Sequence, residues 1–111
     1  VDSAVVRLYL HTDNGQVVRV HQATAAWQET TVTWNNFGGS FALATEGYLI
    51  SQSTGFHTVD LTPLVRQWVN GSAANYGVLL EQNFDACDVY KSSEYSTTSY
   101  RPRLTVCYHS P

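Results

Sequence analysis

The sequence predicts an all-β fold, an antiparallel β-sandwich of the jelly-roll kind with one short helix. Several short segments alternate apolar and polar residues, which is typical of strands buried on one face. Clusters of Gly, Asn, Asp and Ser separate these segments, as turns do in all-β proteins. Only the segment near Thr62–Val69 repeats its apolar residues at helical spacing. The 111 residues are enough for one two-layer domain, residues 1–111.

The first two strands are predicted over residues 4–10 and 16–23. In residues 4–10 the even-numbered side chains are apolar and face one way, while Val5, Arg7 and Tyr9 face the other. Between the two strands stands Asn14-Gly15, a pair that readily adopts the positive φ angles of a tight turn. We therefore expect these strands to pair as a hairpin.

Residues 31–34 are predicted as a short strand and residues 35–40 as a loop rich in Asn and Gly. A further strand is predicted over residues 56–59, directly before the helix.

The helix is predicted from its capping signals as well as from its spacing. Asp60 or Thr62 provides the N-cap, and Pro63 lies near the first position, where a missing N–H costs nothing. Asn70-Gly71 ends the helix. About two turns cannot stand alone, so the apolar side with Trp68 must pack on a sheet.

Three more strands are predicted over residues 77–82, 87–92 and 103–108. If Lys91 pairs with Arg103 in an antiparallel register, Cys87 lies directly opposite Cys107. This register predicts a Cys87–Cys107 disulfide and an oxidising compartment. It also places two cations side by side, where they repel each other or share an anion.

Composition excludes several kinds of partner. The net charge is −3 with six Lys and Arg residues, so the chain has no basic surface for nucleic acid. No apolar run approaches the roughly 18 residues of a membrane span, and no membrane partner is predicted. The chain begins at Val1 and contains no Met, which indicates a processed or excised piece.

No catalytic residue is predicted, and we do not expect an enzyme. The sequence lacks a Gly-x-Ser-x-Gly elbow, a His-Glu-x-x-His pair and a phosphate-binding loop. The four His residues are scattered without ligand spacing, so no metal ligands and no cofactor are predicted. A structural Ca²⁺ held by the loop at 35–40 or 83–88 stays open as an alternative.

Three blocks in this order, residues 27–36, 59–68 and 92–106, resemble the DNRLRE domain family, also described as carbohydrate-binding module family 96. They contain Trp-x-Glu-x-x-Val-x-Trp-Asn, a helix ending in Trp, and a Ser-Glu pair followed by Arg-Pro. The resemblance implies an extracellular β-sandwich module, secreted or at the cell surface, of the kind attached to bacterial polysaccharide lyases and surface proteins.

Six residues match the family blocks and are expected to specify the fold: Trp27, Glu29, Trp34, Trp68, Glu94 and Arg101. The tryptophans are expected in the core, with the alternative that Trp27 or Trp34 is a platform on which a sugar stacks. Glu29 is expected to accept from backbone N–H groups, and Glu94 to pair bidentately with Arg101.

Ligand contacts are therefore expected outside the blocks, and the candidates are Lys91, Arg103, Tyr95, Tyr100, Arg19 and His21. Lys91 and Arg103, outward-facing on adjacent strands, suit the carboxylate of a uronate. Tyr95 and Tyr100 lie in the loop between those strands and could stack on a sugar ring. Arg19 and His21 are expected to form a second outward cluster with Arg7 and Tyr9 on the first hairpin.

The predicted function is that of a non-catalytic carbohydrate-binding module for an extracellular, acidic polysaccharide. The alternative is a structural domain of a surface adhesin, stalk or filament, assembled by strand complementation. This alternative arises because the resemblance covers only the C-terminal two-thirds of the usual family length. Either the chain is a trimmed fragment, or a neighbouring chain supplies the missing strands.

Overall fold

The computed structural model describes residues 1–50, 53–82 and 88–110, and within them the predicted all-β, two-sheet architecture is confirmed. The elements in chain order are β1 (Ser3–Thr12), β2 (Val17–Ala23), α1 (Trp34–Phe37), β3 (Phe41–Ile50), β4 (Gly55–Asp60), α2 (Thr62–Asn70), β5 (Val78–Glu81), β6 (Val89–Tyr90), a single 3-10 turn (Thr98–Tyr100) and β7 (Arg103–Cys107). All strand pairs are antiparallel.

The first sheet is organised around β1. Its residues Val5–Leu10 pair with β4 along one edge. Along the other edge, Ser3–Arg7 pair with β7 and Leu10–Thr12 pair with β6, so β7 and β6 follow each other end to end. The second sheet has the order β3-β2-β5.

The core lies between the two sheets and beneath α2. Its fully buried residues include Ala4 and Leu10 of β1, Val20 of β2 and Leu64 of α2. The predicted faces of β1 are confirmed, because Ala4, Leu8 and Leu10 are buried and Val6 packs partly buried against the core. Val5, Arg7 and Tyr9 on the other face are only partly buried.

The predicted hairpin between β1 and β2 is wrong. Gly15 has a positive φ of 70°, as a tight turn requires, but the turn leads from the first sheet into the second. Gly15 N–H donates to Asp13 Oδ1 (2.8 Å), and Asn14 N–H donates to Asp88 Oδ1 (2.7 Å). Both edges of β1 are occupied by other strands, so β2 buries its apolar side against β1 rather than pairing beside it.

The predicted helix is confirmed as α2, but its N-cap is Leu61 rather than Asp60 or Thr62. Asp60, one residue earlier, still anchors its start. An Oδ1 oxygen of Asp60 accepts from the Thr62 backbone N–H (2.8 Å) and hydroxyl (2.5 Å). These hydrogen bonds lower the pKa of the Asp60 carboxyl. The Thr62 hydroxyl oxygen also accepts from Ala4 N–H (3.0 Å), which ties the helix to β1.

The end of α2 is also as predicted, since Gly71 has a left-handed φ of 82°. Trp68 packs against the core but is half-buried rather than fully enclosed.

Residues 31–34 are not a strand, because Thr33 caps the one-turn helix α1. Thr33 Oγ1 accepts from Asn36 N–H (3.1 Å), and Thr33 N–H donates to Asn36 Oδ1 (2.7 Å). Most of the predicted loop at 35–40 therefore belongs to α1 and to the left-handed Gly38 that ends it. The strand β3, which pairs with β2 through two register shifts, was not predicted from the sequence.

The predicted register between the last two strands is also wrong. Arg103 lies opposite Arg7, and Lys91 N–H donates to Tyr9 O (3.0 Å), because β6 and β7 each pair with β1. The disulfide prediction depended on the other register. Cys87 lies outside the described residues, whereas Cys107 is an exposed free thiol opposite Ser3.

Tyr90 makes stability sensitive to alkaline pH. Burial, with the negative charges of Asp88 and Asp13, raises its pKa from 10.0 to about 12. The folded protein thus keeps a proton that the unfolded chain loses, and stability falls as pH rises from about 10 to about 12.

We expect the melting temperature of Tyr90→Phe to fall less between pH 7 and pH 11 than that of the wild type. The Tyr90 hydroxyl is buried without a hydrogen-bond partner among the described residues, so its removal should not destabilise the protein at pH 7. Tyr108→Phe, at an exposed position, is the control and should behave like the wild type. An equal loss in Tyr90→Phe and wild type would contradict this assignment.

Candidate functional site

Four aromatic side chains cluster on the outer side of the first sheet; we call them the aromatic face: Tyr9, Phe56, Tyr95 and Tyr100. Tyr9 of β1 stacks on Tyr100, with ring centroids 4.1 Å apart and planes at 11°. Phe56 of β4 is the cross-strand partner of Tyr9 and meets it edge-on at 5.1 Å. Tyr95 lies parallel to Tyr100 at 6.1 Å. Phe56 is 45% exposed, so the cluster has an accessible side.

The loop between β6 and β7 carries Tyr95 and Tyr100 onto this face. Arg101 Nε donates to Tyr95 O (2.7 Å), and Arg101 N–H donates to Thr98 O (3.2 Å), so Arg101 holds the loop through its backbone. The expected Glu94–Arg101 pair is not formed: the ion pairs among the described residues involve neither side chain. Glu94 is exposed, and the carbonyl of Tyr95 takes its expected place beside Arg101.

Three cations surround the aromatic face; we call them the cationic rim: Arg7, Lys91 and Arg103. The Arg7 guanidinium carbon lies 4.1 Å from the centroid of the Phe56 ring, and Lys91 Nζ lies 4.0 Å from that of Tyr95. Arg103 is exposed and is the cross-strand partner of Arg7. Half of the six Lys and Arg residues of the chain therefore lie around one surface.

The charges of the cationic rim have no carboxylate partner among the residues that the structure describes. Arg7 and Arg103 lie directly opposite each other on paired strands. Like charges in this position are destabilising. In residues 1–50, 53–82 and 88–110, no carboxylate forms an ion pair with Arg7, Lys91 or Arg103. The aromatic rings stabilise Arg7 and Lys91 only in part. The arrangement can hold an anionic group beside a flat ring.

The structure brings together four of the six predicted ligand residues, Lys91, Arg103, Tyr95 and Tyr100, and separates Arg19 and His21 from them. Because β2 lies in the second sheet, Arg19 and His21 cannot share a surface with Arg7 and Tyr9. Arg19 Nη1 lies 3.8 Å from Glu81 Oε1, and His21 Nε2 lies 3.1 Å from the same oxygen. His21 is buried, with 3% exposure, and its other ring nitrogen lies 2.9 Å from Ala42 O.

Phe56 was not predicted as a site residue, and Arg7 and Tyr9 were predicted in a cluster with Arg19 and His21 that does not form. The available signal was the alternation Arg7-Leu8-Tyr9, which puts both polar-headed side chains on the outer side of β1. Phe56 joins them only through the register of β4 on β1, which no local pattern specifies.

Trp27 and Trp34 are not in the core, although the resemblance to the family led us to expect them there. Their exposures are 46% and 66%, and they line a cleft of about 300 Å³ beside the second sheet. Trp27 Nε1 donates to Tyr76 O at 2.6 Å. Glu29 is exposed, and its carboxylate accepts no hydrogen bond from the backbone that the structure describes. The core between the sheets is filled by aliphatic side chains, which leaves both rings outside it.

The described part of the chain contains no group of three His, Cys, Asp or Glu residues placed to hold a metal ion. Two loops, at 35–40 and 83–88, were considered as Ca²⁺ sites. In the second loop, residues 83–87 lie outside the described residues. No helix within 1–50, 53–82 and 88–110 is both long enough and apolar enough to cross a membrane.

Comparison with known proteins returned one family model and neither a curated protein nor a solved structure as a match. The model describes carbohydrate-binding module family 96, and it matches residues 1–108 of the 111-residue chain. The match spans both sheets and α2, and it includes the aromatic face, the cationic rim and the tryptophan-lined cleft. The chain therefore belongs to carbohydrate-binding module family 96.

Proposed function

We propose that this module binds an acidic polysaccharide outside the cell, without altering it chemically, through the aromatic face and the cationic rim. Family membership supplies the ligand class, because a carbohydrate-binding module binds carbohydrate and is generally non-catalytic and extracellular. The observation that supports an acidic ligand is the Arg7–Arg103 pair, two adjacent cations without a carboxylate partner among the described residues.

A uronate carboxylate suits the space between these two arginines. A guanidinium donates two parallel N–H groups that match the two oxygens of a carboxylate. The orientation of Arg7 is fixed by the Phe56 ring and by a weak hydrogen bond from its Nη2 to Ser99 O (3.4 Å). Arg103 is exposed and forms no ion pair with the residues that the structure describes. An anion bound between the two arginines would form hydrogen bonds to them. It would also remove the repulsion between their charges, and both effects would favour binding.

The aromatic face can hold the sugar ring that carries this carboxylate. Sugar rings present C–H groups that pack on aromatic rings. The Arg7 guanidinium covers one face of Phe56, so a sugar ring would pack beside Arg7, on the part of Phe56 that stays exposed. Lys91, at Tyr95 on the other side of the stacked tyrosines, would meet a second carboxylate along the chain. The surface is thus suited to more than one unit of an acidic polymer.

Calorimetry with alginate oligomers tests this proposal, using Arg103→Gln and, as a matched control, Arg19→Gln. Hydrogen bonds to charged groups contribute about 1.5–3 kcal/mol, so Arg103→Gln should weaken binding by roughly 10- to 100-fold. Arg19→Gln removes the same charge from the second sheet and should leave affinity unchanged. Affinity of the wild type should fall as salt rises, since exposed charges are screened over about 10 Å at 0.1 M.

Equal loss in both variants would show that net charge, not the cationic rim, drives binding.

If the wild type binds no acidic glycan, the alternative of a structural domain assembled by strand complementation gains support. The observation that favours it is apolar exposure on edge strands: among the described strands, β5 and β7 each pair on one edge only, as β3, β4 and β6 also do. Leu80 and Leu104 are 44% and 47% exposed on β5 and β7.

A further inference from the structure

A second concave surface lies beside the second sheet, remote from the aromatic face; we call it the tryptophan cleft. It is formed by the segment that contains α1, packed beside β5, and its apolar wall consists of Trp27, Val32, Trp34, Phe37 and Val78. Its volume is about 300 Å³, at the lower end of the range for small-molecule sites.

The two tryptophans of the cleft are positioned by the backbone. The Nε1–H of Trp27 is fixed by the carbonyl of Tyr76. Its ring lies against Gly77, where φ is 83° and an added Cβ would be 3.7 Å from Trp27 Cζ2. Trp34 is the first residue of α1, directly after the Thr33 cap, and its side chain is 66% exposed. A ring held as that of Trp27 is held loses little conformational entropy when a ligand stacks on it.

Polar groups border the apolar wall. An adjoining hollow of about 280 Å³ shares Trp27, Val32 and Phe37 with the cleft and is also lined by Gln28, Thr31, Asn36 and Ser40. The Asn36 amide is occupied by its hydrogen bonds to Thr33 N–H and Thr31 O. The side-chain amide of Gln28 and the hydroxyls of Thr31 and Ser40 form no hydrogen bonds with other residues that the structure describes.

Charge distinguishes this surface from the one on the first sheet. None of the described residues that line the cleft or the hollow is Lys, Arg, Asp or Glu. An anionic ligand would find no countercharge there, whereas a neutral one would meet an apolar wall and uncharged hydrogen-bonding groups. Aromatic rings beside amides and hydroxyls match a sugar ring, which has an apolar C–H face and a rim of hydroxyls.

We propose that the tryptophan cleft is a second glycan-binding site, specific for a neutral sugar unit. The ring stacks on Trp34 against the wall formed by Trp27, and its hydroxyls bond to Gln28, Thr31 and Ser40. The site depends on the family membership of the chain but not on the acidic-glycan proposal. A module with both sites would bind a polysaccharide that contains acidic and neutral units, or two different chains.

Titration with neutral hexasaccharides of β-linked glucose, mannose and xylose tests the site, with tryptophan fluorescence and amide NMR shifts as readouts. At least one should change the emission and shift the amides of residues 27–37, with an affinity that stays constant between low and 1 M salt. Trp34→Ala should weaken this binding at least tenfold. Leu43→Ala, which removes a side chain that is 87% exposed on β3, should not weaken it.

The variants separate this site from the other one. Arg103→Gln should leave neutral-sugar binding intact, and Trp34→Ala should leave binding of alginate oligomers intact. The melting temperature of each variant checks that it is folded, and Gln28→Ala provides a second disruption if Trp34→Ala does not fold. Absence of binding to all three hexasaccharides at millimolar concentration would overturn the proposal. So would equal affinity in wild type and both cleft variants.

Discussion

Replacing Leu64 with Ala is expected to lower the free energy of unfolding by about 2–5 kcal/mol, the range for deletion of a fully buried leucine side chain. Leu64 is 0% exposed on the side of α2 that faces the core. The helix is anchored at its start by Asp60 and Thr62, so it cannot simply move inward to fill the cavity. The loss should therefore be toward the upper part of this range.

Urea denaturation of Leu64→Ala and Val69→Ala measures this difference. Val69 is in the same helix but is 69% exposed, and its truncation should change stability by no more than about 0.5 kcal/mol. Both changes introduce the best helix former, so neither should destabilise α2 through helix propensity. A Leu64→Ala variant within about 1 kcal/mol of the wild type would contradict the placement of α2 on the core.

Gly47→Ala is expected to destabilise the protein by about 1–3 kcal/mol or more, as overpacking does. Gly47 lies in β3, in the second sheet, and a Cβ there would overlap the Cγ2 methyl of Val59 in β4. Val59 is 5% exposed and belongs to the core, so it has little room to turn away. The glycine is therefore required by the close approach of the two sheets rather than by a turn.

A double-mutant cycle tests this cause. In the Val59→Ala background the overlapping methyl is absent, and Gly47→Ala should cost much less than in the wild type. Gly38→Ala is a useful contrast, because an added Cβ there meets no atom within 4 Å and any cost comes from its positive φ. Additive effects of Gly47→Ala and Val59→Ala would show that the two residues do not meet.

Local signals predicted α2 and the faces of β1 well. Pro63 and Asn70-Gly71 mark the ends of the helix through their own backbone preferences, and alternation on β1 follows from burial of one face. Neither signal depends on distant residues. The β3 strand gave no such signal, because Ala and Glu favour other structures and the two register shifts interrupt its alternation.

Pairing partners could not be obtained from the sequence in the same way. Asn14-Gly15 specifies a turn but not whether the strands that follow it lie side by side or in opposite sheets. The cation pair shows the consequence for the candidate site. Two adjacent cations that include Arg103 were expected, but its neighbour is Arg7 rather than Lys91, since β7 pairs with β1. The kinds of side chain on this surface could be predicted from the sequence. Which residues come together there could not.

The central position of β1 has a consequence for how the chain folds. Its partners all come much later in the chain, at Gly55–Asp60, Val89–Tyr90 and Arg103–Cys107. Contacts between residues so far apart in sequence make folding slow, because long loops must close before any pairing is gained. Until β7 is synthesised, one edge of β1 stays open beside its apolar face. The first sheet is therefore completed only after β7 has been synthesised.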